Sequence, residues 1–549
     1  MTSPPPDSPS PYDEPPRPRE WVDRLPPTLK PLTEPVFRML WLAWLAANMT
    51  MWMNDVAAAW LMTQLTDSVV MVALVSAAST LPVFLLGLPS GALADIVDRR
   101  RWFASTQLWV ASVAVLLALL SLSGGLSAPL LLALTFVNGI GLAMRWPVFA
   151  AIVPDIVSRE RLSGALALQA LAMNLSRVFG PVVAGALLAA AGSAAVFVVN
   201  ALLSLVAFAQ ILRWRTQPRT SALPGERFVG AMRVGLQHVR QSPRMKIVLL
   251  RVFLFFLQSS AITALMPLVA RRLGGGAGSF TLLVSSMGVG AIIAALTVPS
   301  LRDHVSRDRI VAIGTVVISA MAAVVAWAPS IWLAAAAVVV TGIAWISTAN
   351  TLTVSAQLTL PNWVRARGMS IYQMALMGGA AAGSALWGQV AGWTDVPTAL
   401  LAAALVGPLL ALLTRRLRLD AHQDEDVRPV PAVPVPEPAI ALDPHEGPVM
   451  VTIEYLIEPA QADAFHEVMQ ETRRARLRQG ALSWGLFRDT AVPGRYIEYF
   501  LDESWVEHQR RLERFTAADV DLRARRAAFH RSSEFPTVQR YVAEPLDGR

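Results

Sequence analysis

The chain has 549 residues, 54% of them hydrophobic and only 16% charged, with a formal net charge of +8 and no cysteine. That balance excludes an ordinary soluble globular protein, in which about a quarter of residues are charged. The missing thiols exclude disulfides, thiolate nucleophiles and Cys-ligated metals, and the arginines sit in short loops between apolar runs, a distribution that does not suit nucleic acid.

Residues 1–33 are rich in proline with mixed charges and lack the early apolar core of a signal peptide, so they read as a disordered cytoplasmic segment. Apolar stretches of roughly 20 residues, enough to cross a hydrocarbon core, then recur. We count twelve spans: 37–62, 69–94, 102–123, 127–149, 163–190, 194–213, 247–270, 280–301, 309–328, 331–352, 366–391 and 396–414. The loops on one side carry Arg99–Arg101, Arg159 and Arg161, Arg307 and Arg309, Arg365 and Arg367, and a basic central loop. The other side is nearly bare, apart from Arg271 and Arg272. The positive-inside rule places the Arg-rich side and both termini of this multi-pass chain in the cytoplasm; a bacterial inner membrane is the expected location.

The central loop 214–246 divides the region into two six-span halves, 34–213 and 247–419. Asp95, Arg99 and Arg101 recur 208 residues later as Asp303, Arg307 and Arg309, and Pro154 recurs 207 later as Pro361. Charges and a proline held in register over such a distance indicate a duplicated unit. In the stretch GALADIVDRRR, Gly91 permits close helix approach, Asp95 is placed to cap or salt-bridge a neighbouring helix end, and Arg99 and Arg100 can pair with carboxylates or with helix C-termini of the opposite half, with Asp98 part of the same charged cluster. Exposed ion pairs are worth only about 0–1 kcal/mol, which suits a cytoplasmic gate; Asp303 and Arg307 are its counterparts.

Within the spans, Asp55 is the one deep carboxylate and a candidate proton carrier or outer gate. Eighteen residues after Phe37, it lies about 27 Å along its helix, so a solvated rim position is the competing reading. Arg177 stands near the middle of span five with Asn174 one turn before it, where it can bind an anionic substrate or pair with a carboxylate. Asn54, Gln373 and Tyr372 are further cavity candidates, Tyr372 as a stacking surface; interhelical hydrogen bonds and packing are the plainer roles. Arg145 and Arg251 read as anchors snorkelling from span ends.

After a Pro-rich spacer, 420–447, the periodicity changes. VMVTIEYLI, SWGLFRD, RYIEYFLD and TVQRYV read as strands, with helices over 460–478 and 504–530. The order β-α-β-β-α-β over 448–549 is the ferredoxin-like pattern. His466, His508 and His530 lack metal-ligand spacing, so no metal, cofactor or catalysis is expected there. No G-x-x-x-x-G-K-[ST] run is present, which disfavours ATP-driven transport.

GALADIVDRRR resembles the loop between spans two and three of the major facilitator superfamily. NDVAAAWLMTQLTDS, TLPVFLLGLPSGALADIVDRRR and VPDIVSRERLSGALALQALAMNLSRVFGPVVAG look like its branch of enterobactin exporters and transmembrane secretion effectors. Gly180, Pro181 and Gly185 resemble the span-five antiporter motif, and EYFLDESWVEHQRRLERFT looks like an antibiotic-biosynthesis-monooxygenase-type domain, a dimeric α+β barrel. The expectation is an all-α polytopic membrane protein of twelve transmembrane helices in two six-helix halves, plus a C-terminal α+β ferredoxin-like domain. It implies proton-coupled efflux of a small hydrophobic, drug-like or siderophore-like molecule by alternating access. Its partners are then the substrate, protons and the lipid bilayer, with self-association through the tail domain and no nucleic acid. An importer or facilitator of the same fold, and a tail that modifies or senses the substrate, are the alternatives.

Overall fold

The computed structural model describes residues 26, 28–158, 161–214, 228–302, 305–419, 426, 428, 430 and 438–544. Helix follows helix over the first three quarters of the chain: α1 Pro35–Leu65, α2 Val69–Ile96, α3 Arg99–Leu122, α4 Ala128–Ile156 and α5 Leu162–Arg213. The short amphipathic α6, Phe228–Gln241, is followed by α7 Pro243–Arg272, α8 Ala277–Arg302, α9 Arg307–Trp327, α10 Ile331–Thr359, α11 Arg365–Trp393 and α12 Val396–Leu413. Helix starts are encoded locally. The side chains of Ser68, Asp98, Ser242, Ser330 and Asp395 each accept a hydrogen bond from the backbone three residues on, the usual N-cap arrangement. α5 is broken at Gly192, whose φ of 77° suits glycine, so it forms two rods that match the fifth and sixth expected spans.

Nine helical stretches among the described residues are long and apolar enough to cross a membrane. α1 and α11 do not meet that measure: α1 carries Asn48, Asn54, Asp55 and four tryptophans, and α11 carries Gln373, Tyr372 and many glycines. α10 runs to Thr359, past the expected end at 352. The hydroxyls of Thr351, Ser355 and Thr359 each bond the carbonyl four residues back, so the polar residues are satisfied inside the helix.

The two halves repeat one packing pattern. α1 pairs with the first arm of α5, α2 with α4, and α3 with the second arm; α7 pairs with α11, α8 with α10, and α9 with α12. Across the halves α2 crosses α11 and α5 crosses α8. Small residues make these approaches: a Cβ built on Gly383 would lie 2.2 Å from the Leu257 carbonyl oxygen of α7.

The tail is a four-stranded antiparallel sheet in the order β2-β3-β1-β4, from β1 Val449–Leu456, β2 Ser483–Arg488, β3 Arg495–Asp502 and β4 Val538–Val542. One face carries α13 Ala462–Arg478 and packs Val451, Tyr455, Phe465, Met469 and Phe500. The expected helix 504–530 is two helices, α14 Trp505–Glu513 and α15 Ala517–Ala527, because Thr516 and Asp519 form a capping box that restarts it.

The tail docks on the Arg-rich end of the bundle. α6 lies against both α2 and α11 at that end and against α13. Arg233 of α6 pairs with Glu503 at 2.6 Å, Gln237 donates to the Ala481 carbonyl at 2.7 Å, and His238 meets the edge of Trp363. Trp363, in the turn between α10 and α11, also lies under the guanidinium of Arg514, 5.0 Å from its ring centre.

Candidate functional site

The face of α1 toward α4 and α5 carries Trp44, Asn48, Trp52 and Asp55, spaced four, four and three residues apart. On a helix these fall within about a quarter turn. Trp52 meets Arg177 of α5, whose guanidinium lies 5.5 Å from that ring and 5.2 Å from the ring of Trp345 on α10. Arg177 therefore touches an aromatic side chain from each half, and its Nε has no hydrogen-bond partner. Asp55 is half-buried and accepts a hydrogen bond from Ser79 of α2 at 2.9 Å. α1 continues ten residues past it, to Leu65, so Asp55 lies about 15 Å inside the helix end rather than at its rim.

The other candidates spread out. Asn174 is exposed on α5, one turn before Arg177. Asn54 is buried with its Nδ2 unpartnered, and Gln373 is half-buried on α11. Tyr372 is 1% exposed and its hydroxyl is shared with Thr353 at 3.0 Å, so its ring belongs to the packing between α10 and α11 rather than to an open wall. Gly180 lies against Trp52 of α1 and Gly185 against Thr281 of α8, with Pro181 between them, so this stretch is a close-packing seam between α5 and both halves.

Two arginines read as snorkelling anchors are buried instead. Arg145 is fully buried; α4 extends eleven residues beyond it to Ile156, and it donates to the Ala47 carbonyl of α1 at 2.8 Å. Arg251, 7% exposed, pairs with Asp308 at 3.0 Å and donates to the Thr414 carbonyl at 2.9 Å, beside a cavity of about 240 Å³ between α7, α9 and α12.

The charged loop also differs from expectation. Asp98 caps α3 through the Arg101 amide at 2.9 Å, and Arg100 bonds the Leu212 carbonyl at the end of α5. Both contacts stay within one half, because a helix N-terminus and a helix C-terminus are the nearest complementary charges. Gly91 and Asp95 lie on α2, but their side chains fall outside the described residues, as do Asp303 and Arg159. Arg99 and Arg307 open α3 and α9. At the Arg-poor end, Arg271 of α7 donates to the Thr63 carbonyl at 2.9 Å and to Asp67 at 3.2 Å, closing the halves together there. Arg272 donates to the Ala326 and Val325 carbonyls at the end of α9. Two arginines in an otherwise bare loop are the only sequence signal of these roles.

In the tail, Glu498 is fully buried and bonded by Arg476 at 2.9 Å and by Tyr455 and Trp484 at 3.1 Å. Burial pushes its carboxyl up, but Arg476 and Arg526 outweigh burial and hold it at about 2. His508 bonds Asp502 through Nδ1 at 2.7 Å, and its Nε2 accepts from Arg540 at 3.1 Å. Burial pushes the imidazole down against the pull of Asp502. Both ring nitrogens are thus engaged. His530 accepts from the Leu456 amide, and His466 meets Tyr496 edge-on. Among the described residues no cluster of ligands could hold a metal ion.

Residues 27–546 match the transmembrane secretion effector family. The chain is 21% identical over 256 residues to a staphyloferrin A transporter of Staphylococcus aureus, covering 46% of this chain and 64% of that protein. It is 23% identical over 237 residues to macrolide efflux protein A of Streptococcus pyogenes, covering 43% of this chain and 58% of that one. The chain thus spans less than two thirds of the length of these relatives. The fold is similar to that of a bacterial homolog of the human lysosomal transporter Spinster, in an inward-facing and unoccupied conformation, with a TM-score of 0.56 at 15% identity over 71% of this chain and 98% of that one. It is equally similar to the nucleoside transporter NupG, with a TM-score of 0.57 at 13% identity over 70% of this chain and 99% of that one.

Proposed function

The chain belongs to the transmembrane secretion effector family, and from that premise we propose that it is a proton-coupled secondary transporter exporting a small hydrophobic or siderophore-like molecule. Twelve spans in two halves of six would rock about a site near the bilayer midplane. The observation that carries this reading is Arg177, held at mid-helix between Trp52 of one half and Trp345 of the other. A cation in that place is costly in a membrane interior and belongs where the two halves meet a common ligand. Asp55, on the same face of α1 as Trp52, is the coupling group in this reading, with Ser79 as its hydrogen-bond partner. The closure made by Arg271 with Thr63 and Asp67 is one gate; the Arg-rich end is the other, facing the cytoplasm of a bacterial cell with both termini.

The tail supports the bundle and self-associates in this reading, without catalysis. The outer sheet face presents Met450, Phe487 and Tyr541, each more than a third exposed. Inverted membrane vesicles with a panel of dyes, drugs and siderophores test the main claim. Uptake that requires an imposed proton gradient supports export and its energy source. Gradient-driven uptake in right-side-out vesicles alone favours the importer instead.

A further inference from the structure

The aromatic face of α1 has a surplus of one kind of polar atom. Trp44 Nε1, Trp52 Nε1, Arg145 Nε and Nη2, and Arg177 Nε are all buried donors without a partner, against a single orphaned acceptor, Asn48 Oδ1. Buried polar groups in folded proteins are nearly always paired, and a buried guanidinium without a counter-charge is among the costliest exceptions. Neither Arg145 nor Arg177 has an ion pair among the described residues. Arg145 is held by the Ala47 carbonyl and lies 5.6 Å from the centre of the Trp44 ring, and Arg177 lies over Trp52. From Ala47 or Trp44 to Trp52 is five to eight residues of α1, so the two guanidiniums are staggered by about 8–12 Å along the helix.

We propose that Arg145 and Arg177 form a two-point anion site along α1, and that the transported molecule carries two acidic groups about 8–12 Å apart. This rests on the transport reading above and adds the substrate's chemical class. Guanidinium donors match carboxylates in geometry as well as charge. The rings of Trp52 and Trp345 suit an apolar segment between the two acids, while Trp44, stacked on Phe149 at 3.9 Å, backs Arg145 from the packed side. Arg145 thereby becomes a binding residue, with Asn48 Oδ1 left to accept from a hydroxyl or amide of the ligand.

The test uses the full chain purified in detergent, with α,ω-dicarboxylates from succinate through suberate and sebacate, their dimethyl esters, and decanoate as the single-acid control. Thermal-shift titrations should show binding that strengthens toward suberate and sebacate and is absent with the diesters. Arg145→Met and Arg177→Met should each weaken sebacate by about tenfold or more, down to the affinity of decanoate. Arg145→Lys and Arg177→Lys, which keep the charge and serve if a Met variant does not fold, should lose affinity in part. Equal shifts from sebacate and its diester, or wild-type sebacate binding in the Arg145 variants, would overturn the proposal. Gradient-driven uptake of a neutral dye in the same inverted vesicles separates the two ideas: if it persists while dicarboxylates fail to bind, export stands and the anion site falls.

Discussion

Replacing Glu498 with Gln keeps the shape of the side chain and removes one buried charge beneath the tail sheet. Its carboxylate, fully buried, is the counter-ion for Arg476 and a neighbour of Arg526. The carboxyl is lowered from 4.5 to about 2 in the fold, which at about 1.4 kcal/mol per pH unit is worth about 3 kcal/mol. Stranding a buried cation by removing its partner costs about 3–5 kcal/mol, so the two routes agree. Hydrogen exchange of the full chain at neutral pH should therefore rise on the order of a hundredfold in peptides covering β1 and β3. In the native chain this contribution is complete above pH 4.5 and is lost as pH falls toward about 2. His508 adds a loss that begins higher: burial lowers its affinity for a proton in the fold, so the unfolded imidazole takes one up first as pH falls below 6.5. Acidification thus loosens the tail in two stages. Unchanged or greater protection of β3 in Glu498→Gln would refute the idea that this ion pair braces the domain.

Asp55→Asn should abolish proton-driven transport while substrate binding survives, read by parallel uptake and binding assays; coupling at the wild-type level would remove Asp55 from the mechanism. Gly383→Ala should cost about 1–3 kcal/mol through overpacking against the Leu257 carbonyl, seen as a lower unfolding temperature. Trp363→Ala should leave the tail folded but raise hydrogen exchange in α6, because His238 and Arg514 lose the ring they share; unaltered exchange would show that the Trp363 contacts do not hold α6 in place.

Much of the helical layout was legible because apolar runs, caps and the break at Gly192 are local signals. The pairs α1–α5 and α7–α11 occupy matching places in the two halves, a packing that no single stretch of sequence states. Arg177 and Asp55 stood out as charges inside apolar runs, but their companions did not. Trp52 and Trp345 look like any membrane tryptophan until two distant helices bring them to one guanidinium. Arg145 reads as an anchor only if its span ends at 149; the apolar run VFAAIV after Pro147 is the sign that the helix continues to Ile156. Arg100 is among the arginines expected to meet a helix C-terminus of the opposite half, yet the end of α5 within its own half is the one it bonds. Tertiary proximity, not residue type, decided each of these.

The docking of the tail on α6 and Trp363 makes the soluble domain a participant in the energetics of the bundle. α6 lies against one helix of each half, α2 and α11, at the end that must separate if the Arg-rich side opens. Docked and released tails then differ in how readily that end opens, and thermodynamic linkage makes the effect reciprocal. A second chain or small molecule that grips only the released tail will favour opening by the same free energy with which opening favours its binding. The tail can thus report, as well as set, the position of the bundle to which it is attached.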